Sequence, residues 1–422
     1  MDNRICALID YTKSKFGLNN YFLKRHELYR DVNMFNETEY TLSMEWFPNH
    51  ITDDEGDGDL NPQGTAMIDV DVQDRTFNSV VFVEGVSYAN GIIFSDYDTQ
   101  DIIKWIEKET GLTYDKHFQL YKEETGMFHF TACQDGVAIS PAGSIELKYD
   151  SEGKLTRFAV HGHFSNQAPL LKETYALSIE KIKGLPKEQL KLITLPDETD
   201  TLHHVYTIEE IYVRNANMET MPFEVALDEH AYCQIDKTLS WDTPIHKSFE
   251  SKDVDWDEHI TAEQAYASEP SPDAFSISKN EQTTCLVNVT DFLRQVYPDD
   301  TGKWMIKTLH RDKGYIHATL RLNKHQSQFI KRKLTIIIDR KSLQVLNYVD
   351  NKPMLEIFDE FDEPEEATHS NTEAYEIIKN KIELTPCYVY DFEQEQYVLC
   401  GKLDCDYGVD AVSGELFSVE AI

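Results

Sequence analysis

Apolar residues along this chain follow two rhythms, one near 3.6 residues and one of two, and stretches of the first repeatedly precede stretches of the second. Ile5, Leu8, Ile9 and Phe16 share a helical face that stops at Gly17-Leu18, and alternation then predicts strands over 40–46, 66–72 and 77–83. A second copy begins at Thr99 with Ile102, Ile103 and Ile106, closes its helix at Glu109-Thr-Gly-Leu112, and continues into strands over 126–134, 144–150 and 154–161. A third places Val289, Phe292, Leu293 and Val296 at helical spacing before strands over 315–322, 333–339 and 345–348. A further kind of helix is expected at 173–182 and again at 373–382, where Ala374, Ile377, Ile378 and Ile382 form one face. Strands over 202–213 and 223–234 follow the first of these, and strands over 387–392 and 397–407 follow the second.

This order predicts an α+β chain of about five tandem helix-plus-antiparallel-sheet units. The expected divisions are an N-terminal unit at 1–92, a double unit at 93–241, a connection at 242–287 and a second double unit at 288–422. The connection is assigned from Pro244, Pro270 and Pro272 among many acids and serines, with Trp256 anchoring it to a neighbouring module. Proteolysis is expected there first, near 268–273. The two longer halves are expected to superpose in chain order, with 174–183 and 372–381 as equivalent helices.

The turn Val409-Asp-Ala-Val-Ser-Gly-Glu-Leu416 resembles the closing turn and strand of PepSY modules and of the related YcdB/YcdC repeats. Asp339-Arg-Lys-Ser-Leu-Gln-Val345 and Asp71-Val-Gln-Asp-Arg-Thr-Phe77 are weaker versions, and the copy at Asp150 is one residue shorter. The resemblance implies PepSY/cystatin-like helix-on-sheet units, often in cell-envelope proteins of Bacillus-like bacteria, with suggested roles in binding or restraining peptidases. It carries no catalytic residues.

Charge narrows the functional classes. The 422 residues include 40 Lys plus Arg against 75 Asp plus Glu, a net charge of −35, which repels phosphate backbones and anionic membranes. The expected setting is cytoplasmic: the start, Met1 to Asp10, lacks the basic-then-apolar order of a signal peptide, and no run has the length of a membrane span. Seven scattered cysteines fit a reducing compartment better than a disulfide framework, and Cys400 with Cys405 is the only close pair.

Chemical motifs are sparse. Phosphate-binding glycine loops, His-Glu-x-x-His and Gly-x-Ser-x-Gly are all absent from the sequence. His161-Gly-His163 is the best metal-like group, since residues two apart on a strand share a face; a fraying strand end is the preferred reading. His203-His204 would point to opposite faces. Asp53-Asp-Glu-Gly-Asp-Gly-Asp59 puts five carboxylates in seven residues, but the ligand order of a calcium loop is wrong, and a solvated hairpin tip is preferred. The acidic run 356–366 reads the same way, supplying charge to the N-terminus of the following helix. Cys133 and Cys233 lie in alternating strands as small hydrophobes, and Tyr206, Tyr212, Tyr388, Tyr390 and Tyr397 read as sheet packing. The leading expectation is a non-enzymatic binding or regulatory protein with an unknown protein or peptide partner, no nucleic acid, no membrane, no cofactor and no catalytic residue. The alternative is a metal-assisted hydrolase drawing on His161 and His163.

Overall fold

Helix α1, Asn3–Phe16, begins where the Asp2 carboxylate accepts the Arg4 N–H at 2.8 Å and ends where Gly17 turns left-handed at φ 63°. A Cβ at Gly17 would sit 2.3 Å from Asn90 Oδ1, so only glycine fits this close approach. The computed structural model describes residues 2–51, 61–94, 98–164, 169–197, 199–222, 232–322, 331–392 and 394–419. It contains two compact units, one of Met1–Leu171, Asp257–Ser271 and Tyr388–Val398, the other of Lys172–Trp256, Pro272–Cys387 and Leu399–Ile422.

In the first unit, α1 is followed by the antiparallel strands β1 (Tyr21–Val32), β2 (Thr38–Pro48), β3 (Ala66–Asp71) and β4 (Phe77–Phe82). Helix α2, Thr99–Thr110, runs from an Asp98 cap to a left-handed Gly111. It precedes β5 (Phe118–Glu124), β6 (Met127–Gln134), β7 (Val137–Ser140), β8 (Ser144–Tyr149) and β9 (Leu155–His161). Strand β9 pairs with β4, Val80 opposite Phe158, so β1-β2-β3-β4-β9-β8-β6 form one antiparallel sheet with β5 also on β6. Both helices cover the same face. Phe16 of α1 meets Phe77 edge-on at 4.7 Å, Trp105 of α2 meets Phe158 at 4.9 Å, and Phe77, Val80 and Phe158 share that side.

The second unit holds two helix-covered sheets. Strands β10 (Leu190–Pro196) and β11 (Leu202–Ile208) come first, then β12 (Ile211–Arg214), β13 (Thr220–Pro222) and β14 (Tyr232–Thr238). Helix α3, Lys279–Val296, lies over a five-stranded meander of β14, β15 (Trp304–Asp312), β16 (Tyr315–Leu322), β17 (Lys333–Asp339) and β18 (Val345–Asp350). Its Cys285, Val289, Phe292 and Leu293 pack on Trp304, Ile306, Leu309, Ala318 and Ile336. Helix α4, Asn371–Ile378, buries Ala374 and Ile378 in a core it shares with Leu190, Tyr206, Val409 and Ala411. After α4 come β19 (Glu383–Asp391) and β20 (Gln396–Asp404), of which the stretch Tyr388–Val398 belongs to the first unit, then β21 (Tyr407–Asp410) and β22 (Leu416–Ser418). The second sheet runs β10-β11-β21-β22, while β12 pairs with β13 and β20.

One turn recurs in four hairpins. Between β21 and β22 the Asp410 carboxylate accepts the N–H groups of Val412 and Ser413, Asp410 N–H donates to Glu415, and Gly414 is left-handed at φ 74°. Asp339 does the same with Lys341 and Ser342, and Asp71 with Gln73 and Asp74, the left-handed positions being Leu343 at φ 58° and Arg75 at φ 59°. The Asp150 turn closes one residue sooner, with Gly153 left-handed at φ 77°. Arg75 is exposed, so Arg75→Gly should stabilise by about 0.5 kcal/mol by relieving the left-handed penalty. A Cβ at Gly414 would lie 2.6 Å from His369 Nε2, so Gly414→Ala should cost at least about 1 kcal/mol. Urea unfolding of the two variants, with opposite signs expected, checks this.

Three expectations are corrected. Residues 173–178 are irregular and 179–182 form turns where a helix was expected, and only Leu185–Gln189 is helical nearby. Asn215 holds the backbone there, accepting the Ala176 N–H at 2.8 Å and donating to the Thr174 carbonyl at 3.1 Å, whereas α4 has a Ser370/Glu373 capping box. The two stretches are therefore not equivalent helices. Second, 202–213 is two strands, since β11 and β12 lie in different sheets; of 223–234 only the part from Tyr232 lies within the described residues. Third, the connection expected over 242–287 is shorter than that: 242–260 has no helix or strand and is mostly exposed, but it is tied down at points and the chain beyond it is partly helical. Lys252 N–H donates to Leu346 at 2.8 Å, Phe249 meets Phe292 at 4.8 Å, and α3 starts at Lys279 under a Ser278/Glu281 capping box. Ser271 is 3 % exposed, with its N–H held by Thr38 Oγ1 at 2.8 Å, whereas Ser268, Glu269 and Pro270 just before it are exposed.

Candidate functional site

The first unit's sheet has a long free side at β1. Its sequence, Tyr-Phe-Leu-Lys-Arg-His-Glu-Leu-Tyr-Arg-Asp-Val, alternates around a register shift between Leu23 and Arg25. Tyr21, Leu28 and Arg30 lie on the helix-covered face. Phe22, Arg25, Glu27 and Tyr29 lie on the other, opposite Phe47, Glu45, Ser43 and Thr41 of β2. Among the described residues, β2 is the only strand that pairs with β1, which leaves one row of its N–H and C=O groups facing outward.

The open face beside that edge mixes apolar and charged groups. Phe22 and Phe47 rings lie 6.1 Å apart, the Lys24 ammonium is 5.6 Å over Phe47, and Phe22 and Tyr29 are 37 % and 48 % exposed. Arg25 pairs with the buried Glu45 carboxylate at 2.6 Å. On β3, Asp69 faces Ser43 and Ser79, and burial pushes its carboxyl above the usual range despite the Ser43 hydroxyl. On the covered side, Arg30 reaches Glu258, and Tyr40 donates to the Glu269 carbonyl at 2.6 Å. The segment Asp257–Ser271 is thereby tied to the strands of its own unit.

The residues singled out by sequence are dispersed. His161 is exposed at the end of β9, whereas His163 is 8 % exposed and meets Phe35 edge-on at 5.1 Å. Gly162 between them is left-handed at φ 68°, which breaks the strand alternation that would put both imidazoles on one face. His203 bonds Asp197 at 2.9 Å and His204 bonds Thr194 at 3.2 Å, on opposite sides of β11. Among the described residues, no group of three or more His, Cys, Asp or Glu is placed to hold a metal ion. The acidic stretch Asp53 to Asp59 lies outside the described residues. Within 356–366 the chain forms a short 3-10 helix, Glu356–Glu360, and α4 takes its cap from Ser370 and Glu373.

Cys133 is buried in β6 and Cys233 half-buried in β14, and burial pushes both thiols up. Cys387 is pushed up to about 12 by burial. These are thiols held in their inert form. Tyr206, Tyr212, Tyr388, Tyr390 and Tyr397 are all buried, as packing residues are. Sequence reading missed β1, although its alternation on either side of Lys24-Arg25 was a usable signal.

No family model matches this chain, and no curated protein matches it. Among solved structures, the YpeB C-terminal domain of Bacillus megaterium is similar at 11 % identity, over 51 % of this chain and 96 % of that one, with a TM-score of 0.25. Likeness at this level carries no argument here. No helix among the described residues is long and apolar enough to cross a membrane.

Proposed function

We propose that this protein is a non-enzymatic binding or regulatory module, built of PepSY-like units and working in the cytoplasm, that takes up an extended peptide at a sheet edge. The observation that supports this most is β1: twelve residues, Tyr21–Val32, paired on one side, with Phe22 and Tyr29 exposed beside the free edge. An added strand would gain main-chain hydrogen bonds from the outward row, and its alternate side chains would lie beside Phe22 and Tyr29. The charges of Lys24, Arg25, Glu27 and Asp31 discourage indiscriminate pairing with other edges.

Residue-resolved amide exchange on the full chain tests the proposal, with a pool of short β-prone peptides as probe. In the free protein, alternate amides of β1 should exchange fast while those donating to β2 stay protected. The pool should then slow the fast set. Uniform protection of β1 before any peptide is added, or peptide-induced protection confined to other strands, would overturn the assignment.

A further inference from the structure

The face of the five-stranded sheet turned away from α3 is unlike the rest of this acidic chain. Register places three successive rows on it: Met305–Arg321–Lys333, then Gln234–Thr308–Thr319–Thr335–Val349, then Tyr232–His310–His317–Ile337–Asn347. The three rows contain no carboxylate, although the chain has 75 acids. Arg321 and Lys333 stand directly opposite each other on neighbouring strands. Like charges in that position repel, and no described carboxylate pairs with either one. At the margin of these rows Asp236, on the β14 bulge, pairs with the bulged Lys307 and accepts from Gln234, and Glu209 pairs with Lys331 at 3.1 Å. Asp312 and Asp339 lie beyond the histidine row, beside Tyr315.

Part of this face is already covered. The Trp256 ring stacks on His317 at 6.0 Å and meets Tyr315 at 5.4 Å, and His317 and Ile337 are 8 % and 4 % exposed. The cation pair and the half-buried hydroxyl row remain open, ending in Val349 at 62 % exposure. From this juxtaposition we propose that the open face of β14–β18 docks an acidic, extended peptide segment, with its carboxylates on Arg321 and Lys333 and its chain along the threonine row toward Val349.

The arrangement favours a peptide over other anions. One half-buried and one exposed cation, Arg321 also donating to the Lys331 carbonyl at 3.2 Å, act on a free small anion only within about 8 Å at physiological salt, so it would gain little. An extended chain adds hydrogen bonds at Thr308, Thr319 and Thr335 and an apolar contact at Val349. The net charge of −35 opposes a nucleic acid, whose phosphates repeat along its whole length. The surface does not depend on the β1 edge, and its test reads different residues.

The probe is a short fluorescent peptide alternating glutamate with serine and valine, titrated by anisotropy onto the full chain. Its lysine-for-glutamate counterpart, inorganic phosphate and a single-stranded oligonucleotide serve as comparisons. The glutamate peptide should bind, weaken with salt, and lose at least about tenfold in affinity when Arg321→Gln and Lys333→Gln are combined. That variant should keep or raise the melting temperature, since it removes a like-charge pair, and Lys313→Gln in the neighbouring turn should bind normally. Equal binding by the double variant would sink the proposal. So would tighter binding of the lysine peptide, or displacement by phosphate or oligonucleotide at matched charge.

Discussion

Truncating Phe292 to alanine should destabilise the α3 sheet by about 3–5 kcal/mol, the largest single effect expected in this chain. The ring is 1 % exposed and touches Phe249 at 4.8 Å and Tyr348 at 5.0 Å, so its removal leaves a cavity lined by rings that cannot all collapse inward. Because this core belongs to the second unit, the loss should appear as faster amide exchange throughout β14–β18. Protection in β1–β4, which has its own core under α1, should be retained. Equal loss of protection in both units would show that they do not unfold separately.

Replacing Asp350 by asparagine should cost about 3 kcal/mol at neutral pH. The carboxylate accepts from Tyr297 at 2.7 Å and from Arg332 at 2.7 Å, with the Arg332 and Asp350 side chains only 15 % and 12 % exposed. Arg332 lies 5.2 Å over the Trp304 ring, so the substitution removes a carboxylate partner from a charge held against the aromatic layer. Burial alone would raise the Asp350 carboxyl, but Arg332 and Tyr297 outweigh it and hold it below the ordinary range. A depressed carboxyl stabilises fully above its unfolded value, and that contribution is lost as pH falls through the folded one. The gap between native and Asp350→Asn stabilities should therefore be widest at neutral pH and shrink on acidification below the ordinary carboxylate range. A gap independent of pH would assign the cost to lost packing.

Much of the strand pattern was legible because alternation survives wherever one face is buried and the other wet. The expected spans 315–322 and 333–339 coincide with β16 and β17, and Ile102, Ile103 and Ile106 do mark the buried face of α2. What escaped was interrupted alternation. Strand β1 shifts register between Leu23 and Arg25, and β15 shifts between Ile306 and Thr308, so in both the period of two breaks mid-strand. The start of α3 was also written in the chain, as Ser278-Lys-Asn-Glu281, but the neighbouring prolines drew the reading toward a linker. At 173–182, Leu177 and Ile182 are buried as their spacing suggests, yet Asn215, distant in sequence, takes the backbone groups a helix would use. The cation pair Arg321 and Lys333 was invisible for a related reason. Cross-strand neighbours exist only once register is fixed, and register depends on turns and bulges rather than on either strand alone.

The first unit is assembled from three separate lengths of chain, the last of them Tyr388–Val398, where Leu171 N–H donates to the Tyr397 carbonyl at 2.9 Å and Phe35 meets Tyr390 at 5.0 Å. On the ribosome, Leu171 emerges roughly 10 to 45 seconds before Val398 at ordinary elongation rates. Throughout that interval Phe35 lacks Tyr390 and the backbone at Pro169 and Leu171 lacks Tyr397, while strand β1 has already been made. Synthesis thus passes through an incomplete intermediate whose exposure depends on translation speed, and slowing elongation between residues 171 and 398 should increase aggregation of the nascent chain without altering the finished protein.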